Sequence, residues 1–321
     1  MDAFFIKTKK KAKKMNKGNI SLQNTNKIRK RVYNSRFIRY DKGGKDGRFT
    51  MKIKRSDRLV DMTIYFLQNP NTVTSLSYFM NKFMAAKSSI SEDLTIIKDS
   101  FEENNMGSLI TYAGARGGVK YQPYYEKEQL EKEILALKDE ISGSKRLLPG
   151  GYIYTSDLLG EPKWLKKIGK VIASKYLMEN IDAIITIATK GVPIAQAVAY
   201  NLNIPFVIVR KTSKVTEGST VSINYLPRSS SEQVEKMELS KSSIAEGSKV
   251  LIIDDFLRGG GTLSGLGRMA EELNCEVVDS VVFLEHNSPI PSTMYHSLLN
   301  VKSVNEVDDT IEVEMGNFLS V

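Results

Sequence analysis

Val250-Leu251-Ile252-Ile253-Asp254-Asp255-Phe256-Leu257-Arg258-Gly259-Gly260-Gly261-Thr262 is the stretch whose reading decides the fold. Its first four residues are apolar and three of them are β-branched, so they read as a strand buried on both faces. Asp254 and Asp255 are expected where that strand ends. Gly259-Gly260-Gly261 makes a turn, and Thr262 opens a segment with helical spacing of Leu263, Leu266, Met269, Ala270 and Leu273. Strand, turn and helix in that order build an open α/β sheet, in which ligands bind outside the carboxyl ends of the strands. Glycine N–H groups approach an anion closely, and a helix N-terminus favours a phosphate. The paired carboxylates suit sugar hydroxyls or, through oxygen, Mg²⁺. No Gly-Lys-Ser/Thr closes the turn, so it is not a Walker A loop. The plainer reading is a buried strand, an acidic cap and a flexible turn.

Outward from this stretch, strands and helices alternate from residue 149 to the end, the signature of a mainly parallel sheet. Helices are expected over Trp164–Met178 and Pro193–Leu202, and strands over Ala183–Ala188, Phe206–Val209 and Glu276–Glu285. Ile311–Phe318 is expected to add an edge. The turn Thr189-Lys190-Gly191 offers N–H groups and a lysine to a diphosphate. Arg210 and Lys211 directly follow a strand and are candidates for the same charge. Tyr152 and Tyr154 flank the start of this region, suited to stacking on a nucleobase or to packing.

The central stretch resembles the phosphoribosyl pyrophosphate (PRPP) motif of type I phosphoribosyltransferases. The resemblance implies that Asp254 and Asp255 hold the ribose 2′ and 3′ hydroxyls. It implies that Phe256, Leu257, Arg258, Gly259, Gly260, Gly261 and Thr262 wrap the 5′-phosphate. Ala188-Thr189-Lys190-Gly191 resembles the pyrophosphate loop of the same family. Arg210 to Thr220 takes the place of its loop that closes over PRPP; alone it reads as a surface hairpin joined to Val221–Tyr225.

The N-terminal part of the chain reads differently. Asp57–Asn69 carries Leu59, Met62, Phe66 and Leu67 on one helical face, and Asn69-Pro70 ends it. Ser75–Phe83 is a second short helix. A third begins within Ala85–Ser89, with capping-box spacing from Ser89 to Glu92 and a buried stripe of Ile90, Leu94, Ile97 and Phe101. Leu109–Ala113 and Val119–Tyr121 form a hairpin around Gly114-Ala115-Arg116-Gly117-Gly118. Three helices and a hairpin make a winged helix-turn-helix, whose third helix enters the major groove by its first turn. Lys87, Ser88, Ser89 and Ser91 are then the DNA-facing residues, Arg116 tips the wing, and Lys54, Arg55 and Arg58 grip the backbone. Such a module also serves protein contacts, and a run of Ser and Lys alone is a solvated face. Tyr125–Ser142 is a linker helix with Leu130, Ile134, Leu137 and Ile141 on one side.

Composition narrows the classes. The chain has 321 residues, one cysteine and two histidines, which argues against a disulfide framework and a zinc site. No apolar run spans a membrane, and a cytoplasmic location is expected. Residues 1–50 hold sixteen Lys or Arg and three acids, a net +13 against +9 for the whole chain, so the remainder carries −4. The basic character therefore belongs to a tail with few apolar residues, expected to be disordered. That tail is a basic DNA-strengthening arm, a solvated segment, or an untranslated stretch preceding Met51; the expectation here is the last. The expected domains are 51–123 for the winged helix, 124–148 for the linker and 149–321 for the effector domain.

Over Met51–Val321 both halves together resemble the purine operon repressor of low-GC Gram-positive bacteria. The phrases Lys87-Ser88-Ser89-Ile90-Ser91-Glu92-Asp93-Leu94, Leu148-Pro149-Gly150-Gly151-Tyr152 and Val215-Thr216-Glu217-Gly218-Ser219-Thr220-Val221-Ser222-Ile223-Asn224-Tyr225 carry the resemblance. Arg258-Gly259 departs from the Lys-Ala expected there, keeping the positive charge. The resemblance implies a homodimer on operator DNA, released by PRPP, with Mg²⁺ accompanying PRPP and guanosine tetraphosphate competing for the pocket. It implies a sensor without transferase reaction. The other reading is a purine or xanthine phosphoribosyltransferase with an appended winged helix.

Overall fold

The structure, a computed structural model, describes residues 53–114, 117–142, 146–212, 218–225 and 234–320. The basic tail, Arg116 at the wing tip and residues 213–217 lie outside the described residues. Two compact units divide the rest: residues up to Met62 with Ser77–Asp93, and Thr63–Leu76 with the chain from Leu94 onward.

The first unit holds the N-terminal part of α1 (Arg55–Gln68), nearly all of α2 (Leu76–Phe83) and the start of α3 (Lys87–Glu103). Met62, Phe79, Phe83 and Ile90 are buried here, and the rings of Phe79 and Phe83 stack at 6.3 Å. The helix spacing read from the sequence is the spacing observed, but the start of α3 is earlier than the capping box required. Ile90 N–H already donates to Ala86 O, so Ala86 occupies the cap and Ser89 lies inside the first turn.

The second unit opens with a hairpin of β1 (Ser108–Tyr112) and β2 (Gly118–Gln122), antiparallel and in register from Ser108↔Gln122 to Tyr112↔Gly118. Tyr121 packs its ring 4.7 Å from Phe101. After α4 (Lys127–Ser142) come two short strands, β3 (Leu147–Leu148) and β4 (Tyr152–Ile153), then α5 (Ser156–Gly160) and α6 (Pro162–Lys175). The main sheet contains β5 (Ala183–Ile187), β6 (Phe206–Val209), β9 (Lys249–Leu257), β10 (Glu276–His286), β11 (His296–Asn305) and β12 (Thr310–Met315). Its order is β12-β11-β10-β9-β5-β6, parallel except for the edge strand β12. Helices α7 (Gly191–Leu202) and α8 (Gly261–Glu272) follow β5 and β9, and β7 (Thr220–Tyr225) and β8 (Glu235–Ser240) form a separate hairpin.

Successive side chains of a strand point to opposite faces, and β9 divides accordingly. Leu251 and Ile253 join α4, α6 and α7 in one core; Val250 and Ile252 join α8, β7 and β8 in the other. A strand buried on both faces is what the unbroken apolar run required.

Candidate functional site

β9 is longer than its sequence suggested. It runs to Leu257, so Asp254 and Asp255 lie within it rather than after it. The reason is pairing on one side only. β10 stays in register with β9 to Glu285↔Leu257, whereas β5 last pairs at Thr186↔Ile253. Beyond Ile253 the β5 side of β9 is left to the turn that enters α7. The acid pair stands in that step.

The turn closes tightly on the acids. A Cβ on Gly191 would run into Thr186 Oγ1, and would stand 3.3 Å from Asp254 Oδ1 and 3.4 Å from Ile253 O. Thr186 Oγ1 is itself buried with no hydrogen-bond partner among the described residues. Its signal in the sequence is a single hydroxyl among the isoleucines of β5, which the reading of the motif passed over. Gly191→Ala is therefore expected to push the turn off the acid pair.

Burial and the neighbouring Asp255 charge push Asp254 well above the usual carboxylate range. Burial also raises Asp255, with the Lys190 charge opposing it. Asp254 Oδ1 accepts the N–H of Asp255 at 2.9 Å. Thr189 and Lys190 are exposed, while Gly191 is buried. The structure thus brings Lys190 and Gly191 to the acids, with Thr189 in the same turn.

On the other side of the pair, Gly260 caps α8 in the left-handed region at φ 76°. Glycine alone takes that conformation without strain, and a Cβ there would also strike Ile290. A cavity of about 150 Å³ is lined by Tyr152 and by Phe256 to Thr262. At about 30 Å³ per water it has the volume of some five waters, enough for a phosphate group. The Arg258 guanidinium lies 5.2 Å from the Tyr152 ring and donates to Gly150 O at 3.2 Å. Tyr152 and Tyr154 are 54% and 43% exposed, so neither belongs to the core of the described chain.

Arg210 and Lys211 are placed less simply. Arg210 exchanges backbone hydrogen bonds with Glu238 at the start of the polar loop. Lys211 pairs with Glu235, which also accepts the Tyr225 hydroxyl at 2.6 Å. That lysine holds the Glu235 carboxyl below its ordinary range. In this conformation Lys211 is turned to Glu235 rather than to the acid pair.

In the first unit, Lys54, Arg55, Lys87, Ser88 and Ser91 are exposed, and Ser89 is half-buried. Arg58 departs from expectation. Its side chain is 12% exposed, and its Nε donates to the fully buried Asp93 at 2.8 Å. Arg55 donates to the other oxygen of Asp93 at 2.9 Å. A buried carboxylate needs such donors, so the Arg58 charge is engaged inside the fold with little of it left exposed.

Among the described residues no helix is long and apolar enough to cross a membrane, and no group of three or more His, Cys, Asp or Glu stands ready for a metal.

Comparison with known proteins matches two family models: bacterial purine repressor, N-terminal, over residues 54–123, and phosphoribosyl transferase domain over residues 155–310. The chain is 46% identical over 271 residues to the purine biosynthesis transcriptional repressor PurR of Bacillus subtilis, covering 84% of this chain and 95% of that protein. It is 47% identical to a probable purine biosynthesis transcriptional regulator PurR of Streptococcus pneumoniae, covering 83% and 98%. It is 44% identical to the purine biosynthesis transcriptional activator PurR of Lactococcus lactis, covering 84% and 99%.

Proposed function

The chain belongs to the PurR family of purine biosynthesis transcriptional regulators, and from that premise we propose that it represses purine-synthesis genes as an operator-bound homodimer released by PRPP. The observation that carries the proposal is the acid pair, with Asp254 buried, between a glycine-capped helix and a lysine-bearing turn, in one chain with three helices and a hairpin. Residues 51–123 read the DNA, 124–148 link, and 149–321 sense the effector.

In this reading Asp254 and Asp255 accept hydrogen bonds from the ribose hydroxyls. The N–H groups at the start of α8 face the 5′-phosphate, where the helix dipole favours negative charge. Thr189, Lys190 and Gly191 take the diphosphate. Oxygen donors of this kind also fit Mg²⁺ carried by the ligand's phosphates. Guanosine tetraphosphate presents a ribose and two diphosphates to the same donors and is proposed as a competitor. The protein acts in the cytoplasm, and the fold works as a sensor with no transfer reaction.

Named relatives include both a repressor and an activator. The test is a PRPP titration of the protein on DNA from upstream of purine-synthesis genes, at several salt concentrations. Operator affinity that ignores PRPP would end the release mechanism. Pyrophosphate release with PRPP, Mg²⁺ and any of the purine bases would replace the sensor by a phosphoribosyltransferase.

Lys87→Ala is expected to weaken operator binding without altering PRPP binding. As a phosphate contact it would lower the slope of log affinity against log salt by about one. An unchanged slope and affinity would remove Lys87 from the interface.

A further inference from the structure

Resting on the PRPP-sensor reading, we propose that α7 and its neighbour α6 are the coupling element of the switch, with Asn71, Asn203 and Lys170 as its contact residues toward the DNA-reading segment. All these residues lie in the second unit. α7 begins at the acid pair: Gly191 is its first residue and leaves no room for a Cβ beside Asp254. Twelve residues later, about 18 Å along the axis at about 1.5 Å each, its far end meets the turn that follows α1.

There the Asn71 amide donates to Asn201 O at 2.6 Å, and the Asn203 amide donates to Thr72 Oγ1 at 3.1 Å. Asn71 and Asn203 are both in the left-handed region, at φ 53° and 57°. α6 lies along α7 without a spacer, since a Cβ on Gly169 would stand 2.6 Å from the backbone carbonyl of Ala197. The next residue, Lys170, is nine-tenths buried and donates to Asn105 O at 2.7 Å, two residues beyond the end of α3. Displacement of one helix therefore reaches the ends of both α1 and α3.

The surroundings allow movement. A cavity of about 970 Å³ borders these contacts, lined among others by Lys170, Tyr200, Asn201 and Asn105. Close-packed interiors transmit strain and resist sliding, whereas discrete hydrogen bonds beside a void exchange between arrangements. The diphosphate turn and the C-terminal ends of α1 and α3 are then joined by a stiff rod with polar ends.

The test uses the full chain and three measurements: operator affinity without PRPP, PRPP affinity without DNA, and operator affinity with saturating Mg²⁺-PRPP. Asn71→Gly removes the amide and keeps the left-handed backbone; Lys170→Met removes the ammonium and keeps the apolar stem. Each variant is expected to keep both separate affinities within about threefold, while the PRPP-dependent change in operator affinity falls at least fivefold, within the usual range of coupling factors. If wild type responds to PRPP and both variants respond as strongly, the coupling role is overturned and the sensor reading stands. Loss of a separate affinity in both variants also overturns it, because the contacts would then be structural. Wild type that does not respond to PRPP defeats the sensor reading itself.

Discussion

Asp254→Ala combined with Asp255→Ala is expected to leave operator binding within about threefold of wild type and to weaken PRPP by at least about 100-fold. The size follows from the bonds removed. Hydrogen bonds to charged groups contribute roughly 1.5–3 kcal/mol each, and losing two such acceptors costs about 3–6 kcal/mol, or a factor of about 10² to 10⁴. Fluorescence anisotropy on an operator fragment, with and without PRPP, reads both quantities. Loss of DNA binding together with PRPP binding would show that the acids hold the fold.

A milder substitution separates function from stability at the same place. Burial raises the pKa of Asp254 in the folded chain, so its charged form is disfavoured there relative to the unfolded chain. The wild type is relieved of this penalty below the ordinary carboxylate value and bears it increasingly as pH rises from that value to the elevated one, above which it is constant. Asp254→Asn should therefore raise the melting temperature at pH 7, by about 2–4 °C for each 1 kcal/mol gained, while losing PRPP affinity. The gain should shrink as pH falls through about 4, the ordinary aspartate value, and vanish below it, where both states of the wild type are protonated. A lower melting temperature at both pH values would mean that the carboxylate stabilises the fold.

The second large effect lies in the first unit. Arg58→Ala leaves Asp93 buried with part of its charge unmatched, and breaking a buried pair costs about 3–5 kcal/mol. Arg55, half exposed on its side chain, compensates little. Operator binding should be lost along with the fold, which a melting curve detects. Arg58→Met with Asp93→Leu removes both charges, and such hydrophobic replacements are often neutral or stabilising. That double variant is expected to recover stability and operator binding together. Recovered stability with operator affinity still lost would return Arg58 to the DNA interface.

Arg58 also marks the limit of reading by charge alone. Near the start of a helix beside Lys54 and Arg55 it looks like a solvated cation. Only the return of α3 brings Asp93, thirty-five residues on, beneath it. The same limit explains the end of β9. The apolar run shows where a strand lies, but whether it continues through Asp254 and Asp255 depends on how far β10 and β5 extend beside it. Ile290 and the Glu235–Lys211 pair were likewise beyond sequence reading, since each acts on a residue distant along the chain.

What the sequence determined by itself is local and periodic. Alternation of strand and helix, the acid pair before Gly259-Gly260-Gly261, and three helices before a hairpin follow from spacing, turn chemistry and residue shape, which act over a few residues. The tertiary structure alone decided which charges are spent inside the fold, where β9 stops being covered, and that the helix leaving the acid pair ends on Asn71. Those depend on long-range pairing and burial, and the free energy of a charge or hydrogen bond is set by what chain folding brings beside it.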